Sequence, residues 1–377
     1  MPSAEIVGGG IAGLVASIQL ARGGWSVRLH ERSEALRASG NGLPIFENGL
    51  RILDALGLGA AVQERGHQLN KWVICLSSGE KVVEYEPHAA TGGRIVMFQR
   101  QALIDPLSAA AAEAGVEICV GSRVIGAERS GAVLLEGGNR LEADLVIGAD
   151  GIHSIVRRSV AGQLELGQHR KGAIRLLIPI RPGDFPDGND RVATEFNDAS
   201  GRRIGLLPCS SDVMYMIFVA LLADIEAQQI PIRHELWKTT FPTLGKYIDR
   251  VGSMGHYDVY HSIAPSAWHF GNCALIGDAA HGMTPALGQG ANSALMTAYS
   301  LGASELSPES LSVTLTQWET KMRPLIDFTQ KYAEGITEGR LDPHNDIFFS
   351  DPALRPLLTA DIPNMRWTPP NPAALRL

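Results

Sequence analysis

The stretch that decides the fold is residues 4–13, which read Ala-Glu-Ile-Val-Gly-Gly-Gly-Ile-Ala-Gly. Apolar residues at helical spacing follow as far as Arg22, and a second short apolar run occupies residues 26–31. This order of patterns predicts a strand, a tight turn, a helix and a second strand. Glycines placed in this way between a strand and a helix indicate that a dinucleotide binds where the helix begins.

The spaced glycines of this turn have separate roles in that prediction. Gly8 and Gly10 let the turn close and let the backbone approach a pyrophosphate, whereas Gly13 lets the helix pack closely against the strand. The first N–H groups of the helix then face the anion. Glu31 ends the second strand, where a carboxylate accepts hydrogen bonds from ribose hydroxyls. A plain glycine-rich turn is the alternative.

Two later segments each carry an apolar run into an acidic residue. Residues 144–149 lead into Asp150 and Gly151, and residues 273–277 lead into Asp278. Each predicts a buried strand that delivers a carboxylate to the carboxyl-terminal edge of an open α/β sheet, where ligands bind. Taken singly, either aspartate is also typical of a helix N-cap.

A third glycine-rich segment follows Asp278. Residues 285–292 read Pro-Ala-Leu-Gly-Gln-Gly-Ala-Asn, and an apolar helix then extends to about Ser304. Such a helix start leaves N–H groups open and stabilises nearby negative charge by about 0.3–1 kcal/mol. The alternative is an ordinary glycine-rich helix cap. His281, just before this segment, is interpreted as a structural histidine rather than a general base.

In this order the three segments resemble those of the single-component flavoprotein aromatic hydroxylases, the para-hydroxybenzoate and salicylate hydroxylase family, including its pyridine-ring-opening oxygenases. The resemblance covers nearly the whole chain. It implies an α/β fold, with a Rossmann-type FAD-binding domain and an interleaved β-sheet substrate domain. It also implies that FAD is bound by Gly8, Gly10, Ile11, Ala12, Gly13, Glu31, Arg32, Arg100, Val124, Asp150, Gly151, Gly277, Asp278, Pro285, Leu287, Gly288, Gly290, Ala291 and Asn292. Without the resemblance, Arg100 is simply a cation at a helix start.

The strand patterns and the resemblance together divide the chain into two domains and a tail. We expect a discontinuous FAD-binding domain from residues 1–70, 96–165 and 265–340, a substrate-binding sheet from residues 71–95 and 166–264, and a proline-rich tail from residues 341–377. Within the second domain, residues 203–208 and 213–222 are predicted to form a hairpin, and residues 231–247 a covering helix.

Candidate substrate residues come from this hairpin and its neighbours. An arginine at position 203 suits a substrate carboxylate and a tyrosine at position 215 a ring hydroxyl, and by the resemblance Arg203 and Tyr215 match substrate-contacting positions. Arg175, on a neighbouring predicted strand, is a third candidate. Leu69 stands where relatives place a substrate-side tyrosine, which predicts a more apolar pocket. Pro285 is expected to line the flavin face, so the candidate catalytic residues are Arg203, Tyr215 and Pro285. The alternative is that the hairpin positions are ordinary edge or surface residues.

Composition excludes several partner classes. The formal net charge is -7, and no block of Lys or Arg offers a surface for nucleic acid or an anionic membrane. The longest apolar run, residues 213–223, is shorter than the roughly 20 residues that span a bilayer, so we expect a cytoplasmic protein. Four cysteines lack metal or redox spacing, which predicts free thiols and no metal. A monomer or homodimer is expected.

The predicted function is a monooxygenase that uses FAD, NADH or NADPH, and dioxygen. Its expected substrate is a small electron-rich aromatic or hydroxypyridine-type acid, hydroxylated with or without ring opening. Because the chain has one complete glycine motif, the nicotinamide is expected to dock only transiently. A flavin reductase or dehydrogenase without oxygen insertion, and a non-enzymatic FAD-binding protein, are the alternatives.

Overall fold

The computed structural model describes residues 1–36, 42–87, 93–185 and 188–339. The strands in these ranges are β1 Ser3–Val7, β2 Ser26–His30, β3 Gly42–Phe46, β4 His67–Leu69, β5 Lys71–Leu76, β6 Lys81–Tyr85, β7 Ile95–Gln99, β8 Glu117–Cys119, β9 Val124–Glu128, β10 Ala132–Leu135, β11 Arg140–Glu142, β12 Leu145–Gly148, β13 Gly167–Pro179, β14 Val192–Asn197, β15 Arg203–Pro208, β16 Val213–Leu221, β17 Tyr257–Ser262, β18 His269–Phe270 and β19 Cys273–Leu275. The helices are α1 Ile11–Arg22, α2 Glu47–Ala55, α3 Gly59–Arg65, α4 Arg100–Glu113, α5 Ile155–Ala161, α6 His234–Thr240, α7 Gly245–Ile248, α8 Asp278–His281, α9 Gly290–Gly302 and α10 Leu311–Gly339. Over the described part of the chain, no helix has both the length and the apolar character to cross a membrane.

The first sheet has six strands in the order β18-β19-β12-β1-β2-β8. The pairs β1 with β12, β1 with β2, and β12 with β19 are parallel. The carboxyl ends of β1, β12 and β19 therefore lie side by side at one edge of the sheet. These are the ends that lead into Gly8, Asp150 and Asp278.

Helix α1 connects β1 to β2 and is buried over most of its circumference. Leu14, Val15, Ile18 and Leu20 are at most 1% exposed. A helix apolar on all sides is stable only when other elements cover it, and α1 contacts both α9 and α4. Burying each of these aliphatic side chains contributes about 1.5–3 kcal/mol, which fixes the start of α1 beside the end of β1.

The second large sheet has seven strands in the order β17-β13-β16-β15-β14-β5-β6. Successive side chains on a strand point to opposite faces. One face packs Met216 and Phe218 against Trp237 and Phe241 of the covering helix segment. The opposite face carries Arg203, Tyr215 and the residues paired with them, and it meets the first domain. Two three-stranded sheets, β11-β10-β9 and β3-β7-β4, complete the architecture.

The α/β fold with an interleaved second sheet is confirmed. The strands of the six-stranded sheet fall in the segments expected for FAD binding, and those of the seven-stranded sheet fall in 71–95 and 166–264. The domain boundaries themselves stay a prediction, and the tail from residue 340 lies outside the described residues.

The predicted single helix over residues 231–247 is wrong. The structure has α6, a 3-10 turn at Pro242–Leu244, and α7. Phe241 leaves helical geometry, with φ -125° and ψ 74°. The residue before a proline is sterically disfavoured in the α region, so Pro242 explains the break.

Candidate FAD and substrate site

The first turn has the geometry expected of a pyrophosphate cradle. Gly8 has φ +107°, and a Cβ at Gly13 would lie 2.0 Å from the Gly8 carbonyl oxygen. Neither position tolerates a larger residue, because both hold the strand and helix in close approach. A Cβ at Gly10, in contrast, would meet no atom within 4 Å. Gly10 is the N-cap of α1 and supplies no side chain to its N–H groups, so those donors are open to an anion.

Glu31 hydrogen-bonds to the backbone of this turn. Its Oε2 accepts a hydrogen bond from the Gly9 N–H at 3.0 Å, and its Oε1 accepts from the Ser33 N–H at 2.9 Å. The carboxylate therefore already fixes the loop on which a ribose would rest. Arg32 is exposed beside it, and Val124 is buried in β9.

Asp150 does not reach the cavity as predicted. Its carboxylate accepts from the Ser154 hydroxyl at 2.5 Å and from the Ile155 and Val156 N–H groups at 2.6 and 3.2 Å. Burial raises the pKa of this carboxyl, and these hydrogen bonds oppose the shift. Asp150 thus binds the first N–H groups of α5 beside the N-cap residue Ser154, in agreement with the alternative that assigned it to a helix start. Its neighbour Gly151 lines the cavity instead.

Asp278 lines the cavity, where it was predicted to contact FAD. It follows Gly277, whose φ is +57°, and both residues line the cavity together with Arg100. Burial raises the pKa of the Asp278 carboxyl, and the nearby Arg100 cation opposes the rise. A carboxylate and a guanidinium on the same wall suit a ligand with both hydroxyl and phosphate groups.

The third glycine segment forms a second open helix start. Gly288 is left-handed, with φ +61°, and closes the 3-10 turn Pro285–Leu287. No side chain caps α9, and Gly290 lines the cavity at its start. Asn292 lies behind the turn: its Oδ1 accepts from the Phe46 N–H at 2.9 Å, and its Nδ2 donates to the Gly288 carbonyl at 2.9 Å. Asn292 therefore holds the turn against β3 rather than lining the cavity.

These walls enclose a cavity of about 430 Å³ that separates the two large sheets, within the roughly 300–1,000 Å³ range of small-molecule sites. The predicted FAD residues that line it are Gly10, Ile11, Ala12, Arg100, Gly151, Gly277, Asp278, Pro285, Leu287, Gly288, Gly290 and Ala291. The predicted residues that do not line it are Gly8, Gly13, Glu31, Arg32, Val124, Asp150 and Asn292. Two uncapped helix starts, with open space where a Cβ at Gly10 would stand, fit the phosphates and ring system of FAD.

The opposite wall brings together the predicted substrate residues. In the β15–β16 ladder Leu207 faces Tyr215, and in the β13–β16 ladder Arg175 faces Ile217. Arg203 is four residues before Leu207 and so shares its face. All of these residues line the cavity. Burial raises the pKa of the Tyr215 hydroxyl, so this phenol is a proton donor at neutral pH.

Both arginines on this wall are already paired with acids. Arg203 Nη1 donates to Glu195 Oε2 at 2.8 Å, and the two side chains are 14% and 10% exposed. Arg175 Nη1 donates to Asp258 Oδ2 at 3.1 Å. The expected free cation for a substrate carboxylate is therefore balanced by Glu195, and the wall is close to neutral overall.

Two residues of this wall were missed from the sequence. Glu195 was given no role in the sequence analysis. Tyr260 lies on β17, which the sequence patterns did not predict, and its ring lies under the Arg175 guanidinium, 5.6 Å from its centre. The Tyr260 hydroxyl is buried and has no hydrogen-bond partner among the described residues. A buried hydroxyl facing a cavity is suited to a ligand oxygen or nitrogen.

Leu69 does not lie where the substrate prediction requires. It is 2% exposed in β4, opposite Ile95, and is absent from the cavity wall. Trp72, three residues later, lines the cavity. The apolar character predicted from Leu69 is supplied instead by Trp72, Leu207 and Ile217.

His281 and the cysteines lie outside the cavity wall. His281 is 1% exposed, with Nε2 3.1 Å from the Thr297 hydroxyl, and burial lowers its pKa to about 4. It is a neutral histidine packed against Trp268. The four cysteines are free thiols. Within the described ranges, no group of three or more His, Cys, Asp or Glu side chains is placed to hold a metal.

A parallel sheet whose strand ends present two uncapped helix starts to one cavity, closed by a second sheet, defines a dinucleotide-dependent enzyme of the flavoprotein class. The family model described as FAD binding domain matches residues 2–307. The chain belongs to this family, and the protein is an FAD-dependent monooxygenase of the aromatic hydroxylase type.

Several relatives span nearly the whole chain. A putative 2-heptyl-3-hydroxy-4(1H)-quinolone synthase of Rhodococcus erythropolis is 36% identical, covering 88% of this chain and 86% of the relative. A 2-heptyl-3-hydroxy-4(1H)-quinolone synthase of Mycobacteroides abscessus is 33% identical, covering 87% and 88%. Among solved structures, the tetrameric form of 2-methyl-3-hydroxypyridine-5-carboxylic acid oxygenase is 32% identical with a TM-score of 0.90, covering 98% of this chain and all of that one.

Proposed function

We propose that this enzyme hydroxylates an uncharged, electron-rich nitrogen heteroaromatic of the 4-quinolone type that carries an apolar substituent, using NADH or NADPH and dioxygen. The observation that carries the proposal is the charge balance of the sheet-side wall. Its two arginines are each paired with a carboxylate, and its other members include Trp72, Leu207 and Ile217.

This proposal replaces the acidic substrate expected from the sequence. A substrate carboxylate that bound Arg203 would share that guanidinium with Glu195, which accepts from it at 2.8 Å, and would stand beside a second buried negative charge. Like charges in a buried site repel strongly. A neutral ring with an N–H group and a carbonyl oxygen meets no such penalty. The names of the quinolone synthases that share 33–36% identity support the same substrate class.

The cavity residues have distinct roles under this proposal. The two helix starts would hold FAD, which, once reduced by NAD(P)H, would supply the chemistry that activates dioxygen. The open start of α9 at Gly290 would stabilise negative charge on a bound, reduced flavin. The hydroxyls of Tyr215 and Tyr260 hydrogen-bond to the ring oxygen, and so they orient the carbon that is oxygenated. Trp72 and the aliphatic side chains exclude water.

The overall reaction consumes one substrate C–H bond, one dioxygen and one NAD(P)H with a proton, and it yields C–OH, water and NAD(P)⁺. To test it, NAD(P)H oxidation and product mass are measured with 2-heptyl-4(1H)-quinolone, with para-hydroxybenzoate and with a hydroxypyridine carboxylic acid. We expect faster oxidation and a singly hydroxylated product with the quinolone alone. Hydroxylation of only the acids would overturn the substrate class, and NAD(P)H oxidation without any oxygenated product would favour a reductase.

A further inference from the structure

The turn on the FAD side of the cavity begins with a buried hydroxyl that the roles above leave unexplained. Thr284 is fully buried, precedes the 3-10 turn Pro285–Leu287, and lines the cavity together with it. Its hydroxyl hydrogen-bonds with the hydroxyl of Thr337, close to the end of α10, at 2.8 Å. Burying a hydroxyl is costly unless it has such a partner. The two hydroxyls therefore attach the turn to α10.

The same end of α10 is attached to the sheet that carries the substrate wall. Lys171 of β13 is buried, and its Nζ donates to the Thr337 carbonyl oxygen at 2.7 Å. From Lys171 to Arg175 the pairing of β13 with β16 is unbroken, so these two residues share a face of the sheet. Arg175 lines the cavity. The FAD side and the sheet side of the cavity are therefore joined through Thr284, Thr337 and Lys171.

We propose that the hydroxyls of Thr284 and Thr337 are positioning groups of the monooxygenase. They hold the Pro285–Leu287 turn at a fixed distance from the sheet-side wall, and this keeps bulk water out of the site while oxygen is transferred. The inference deepens the proposed function and rests on it for the identity of the substrate, whereas the exclusion of water can be measured without a substrate. Both threonines act through the turn, and so they are positioning residues rather than catalytic ones.

A second, smaller cavity borders this connection. Its volume is about 20 Å³, and Lys171 and Thr337 line it. Tyr260, Pro285 and Ala286 line both this space and the larger substrate cavity. A space of this size holds about one water molecule. If the turn moved away from the sheet, the small cavity would open into the large one, and water would reach the place where the substrate is oxygenated.

The exclusion of water determines where the electrons of NAD(P)H go. In the closed site, one atom of dioxygen is transferred to the substrate and the other leaves as water. If water enters before the transfer, the same two electrons, with two protons, reduce dioxygen to hydrogen peroxide, and the substrate stays unchanged. A looser turn should therefore raise the yield of hydrogen peroxide relative to hydroxylated product, and it should affect the reduction of the flavin much less.

The test compares wild type with Thr337→Val, which removes one hydroxyl and nearly keeps the volume of the side chain. Loss of one buried hydrogen bond shifts the balance between closed and open walls by about 2- to 10-fold, and the hydrogen peroxide formed per hydroxylated 2-heptyl-4(1H)-quinolone should rise by the same factor. Quenching of the flavin fluorescence by iodide, measured without substrate, should also become stronger. The rate of flavin reduction by NAD(P)H should stay close to that of wild type.

The two threonines should behave as one unit. Thr284→Val should give the same rise in peroxide yield and in iodide quenching as Thr337→Val. The double variant should exceed neither single variant, because the same hydrogen bond is lost in all three. Thr337→Ser keeps the hydroxyl, and so it should restore the wild-type values.

Thr329→Val is the matched control, because it removes a buried threonine hydroxyl from the same helix. Thr329 donates to the Leu325 carbonyl oxygen at 2.7 Å, just as the Thr337 hydroxyl lies 2.9 Å from the Ala333 carbonyl oxygen. Both hydroxyls thus contact the preceding helical turn, but only the bond of Thr337 reaches Thr284. Thr329→Val should leave peroxide yield and iodide quenching as in wild type, even where it lowers the melting temperature.

The outcomes separate this inference from the proposed function. Peroxide yield and iodide quenching that match wild type in the folded Thr284→Val and Thr337→Val variants would overturn the positioning role, and so would an equal rise in Thr329→Val. If one of the two valine variants does not fold, the other decides. Wild type that leaves the quinolone unhydroxylated would overturn the proposed function instead, and iodide quenching of the variants would still test the two threonines.

Discussion

Gly10→Ala separates cofactor binding from folding. Gly10 has φ -82° and ψ -173°, which alanine adopts without strain. An added Cβ meets no protein atom within 4 Å, so the methyl group points into the space assigned to the FAD pyrophosphate. The apo-protein should fold normally, and only FAD binding should suffer.

The expected changes in apo-protein stability and in FAD affinity have separate causes. At a helix N-cap, alanine in place of glycine costs roughly 0.5–1 kcal/mol, and the lower entropy of the unfolded chain returns about 0.4–1 kcal/mol. The stability of the apo-protein should therefore change by less than about 1 kcal/mol. If the methyl group displaces the pyrophosphate from one N–H donor, loss of about 1.5–3 kcal/mol raises the Kd for FAD about 10- to 150-fold.

The assay is titration of apo-protein with FAD, followed by flavin fluorescence, together with thermal unfolding of each apo-protein. Gly245→Ala is the control, since Gly245 has helical φ -50° and ψ -45° and open space around it; its FAD affinity should match wild type. Gly13→Ala places a Cβ 2.0 Å from a backbone oxygen and should destabilise the apo-protein itself by at least about 1–3 kcal/mol. A Gly10→Ala variant with wild-type FAD affinity would refute the cradle.

Three further changes probe the surroundings of the site. Arg203→Ala removes the cation that balances buried Glu195 and should lower the free energy of unfolding by about 3–5 kcal/mol. Much of that stability should return in the Arg203→Leu, Glu195→Leu double variant. Urea unfolding measures both variants, and a double variant no more stable than Arg203→Ala would contradict the prediction. Asn292→Ala frees the Pro285–Gly288 turn from β3, so it should lower the free energy of unfolding by about 1–3 kcal/mol and weaken FAD binding. An unchanged Kd for FAD would show that the contact between this turn and β3 does not affect cofactor binding. Because burial lowers the pKa of His281 from 6.5 to about 4, the unfolded chain gains a proton over this interval before the native one does. Acidification from about pH 6.5 to 4 should therefore cost wild type about 3 kcal/mol more than His281→Asn, and parallel pH profiles would rule this out.

The sequence was informative where the structure depends on local pattern. Each strand that leads into Gly8, Gly151 or Asp278 is a short apolar run, and the residues after it are typical of a turn or a helix start. Parallel pairing then brings those ends together, so the FAD cradle could be predicted before the sheet order was known. Alternation along the predicted hairpin places Arg203 and Tyr215 on one face only if the connection between the strands has an odd number of residues, and that length became known from the strand register.

The sequence could not predict contacts that depend on strand register, or on which of two hydrogen-bonding partners a side chain takes. Asp150 had two possible partners, a ligand and a helix N-terminus, and the N–H groups of α5 are nearer. The Glu195–Arg203 pair requires the alignment of β14 with β15, which a single sequence does not specify. Tyr260 lies on a strand without clear alternation. These omissions change the predicted substrate from an acid to an uncharged ring, because the charge of the wall depends on Glu195 and Asp258 as much as on the arginines.

The most direct measurement is the fate of isotopically labelled dioxygen. FAD-loaded protein is incubated with NADH or NADPH, 2-heptyl-4(1H)-quinolone and ¹⁸O₂, and the product is analysed by mass spectrometry. FAD held between the two helix starts, with the substrate on the sheet-side wall, predicts a hydroxylated quinolone that carries one ¹⁸O atom, with one NAD(P)H oxidised per product. Unlabelled product, or NAD(P)H oxidation that leaves the quinolone intact, would contradict oxygen transfer to this substrate at this site.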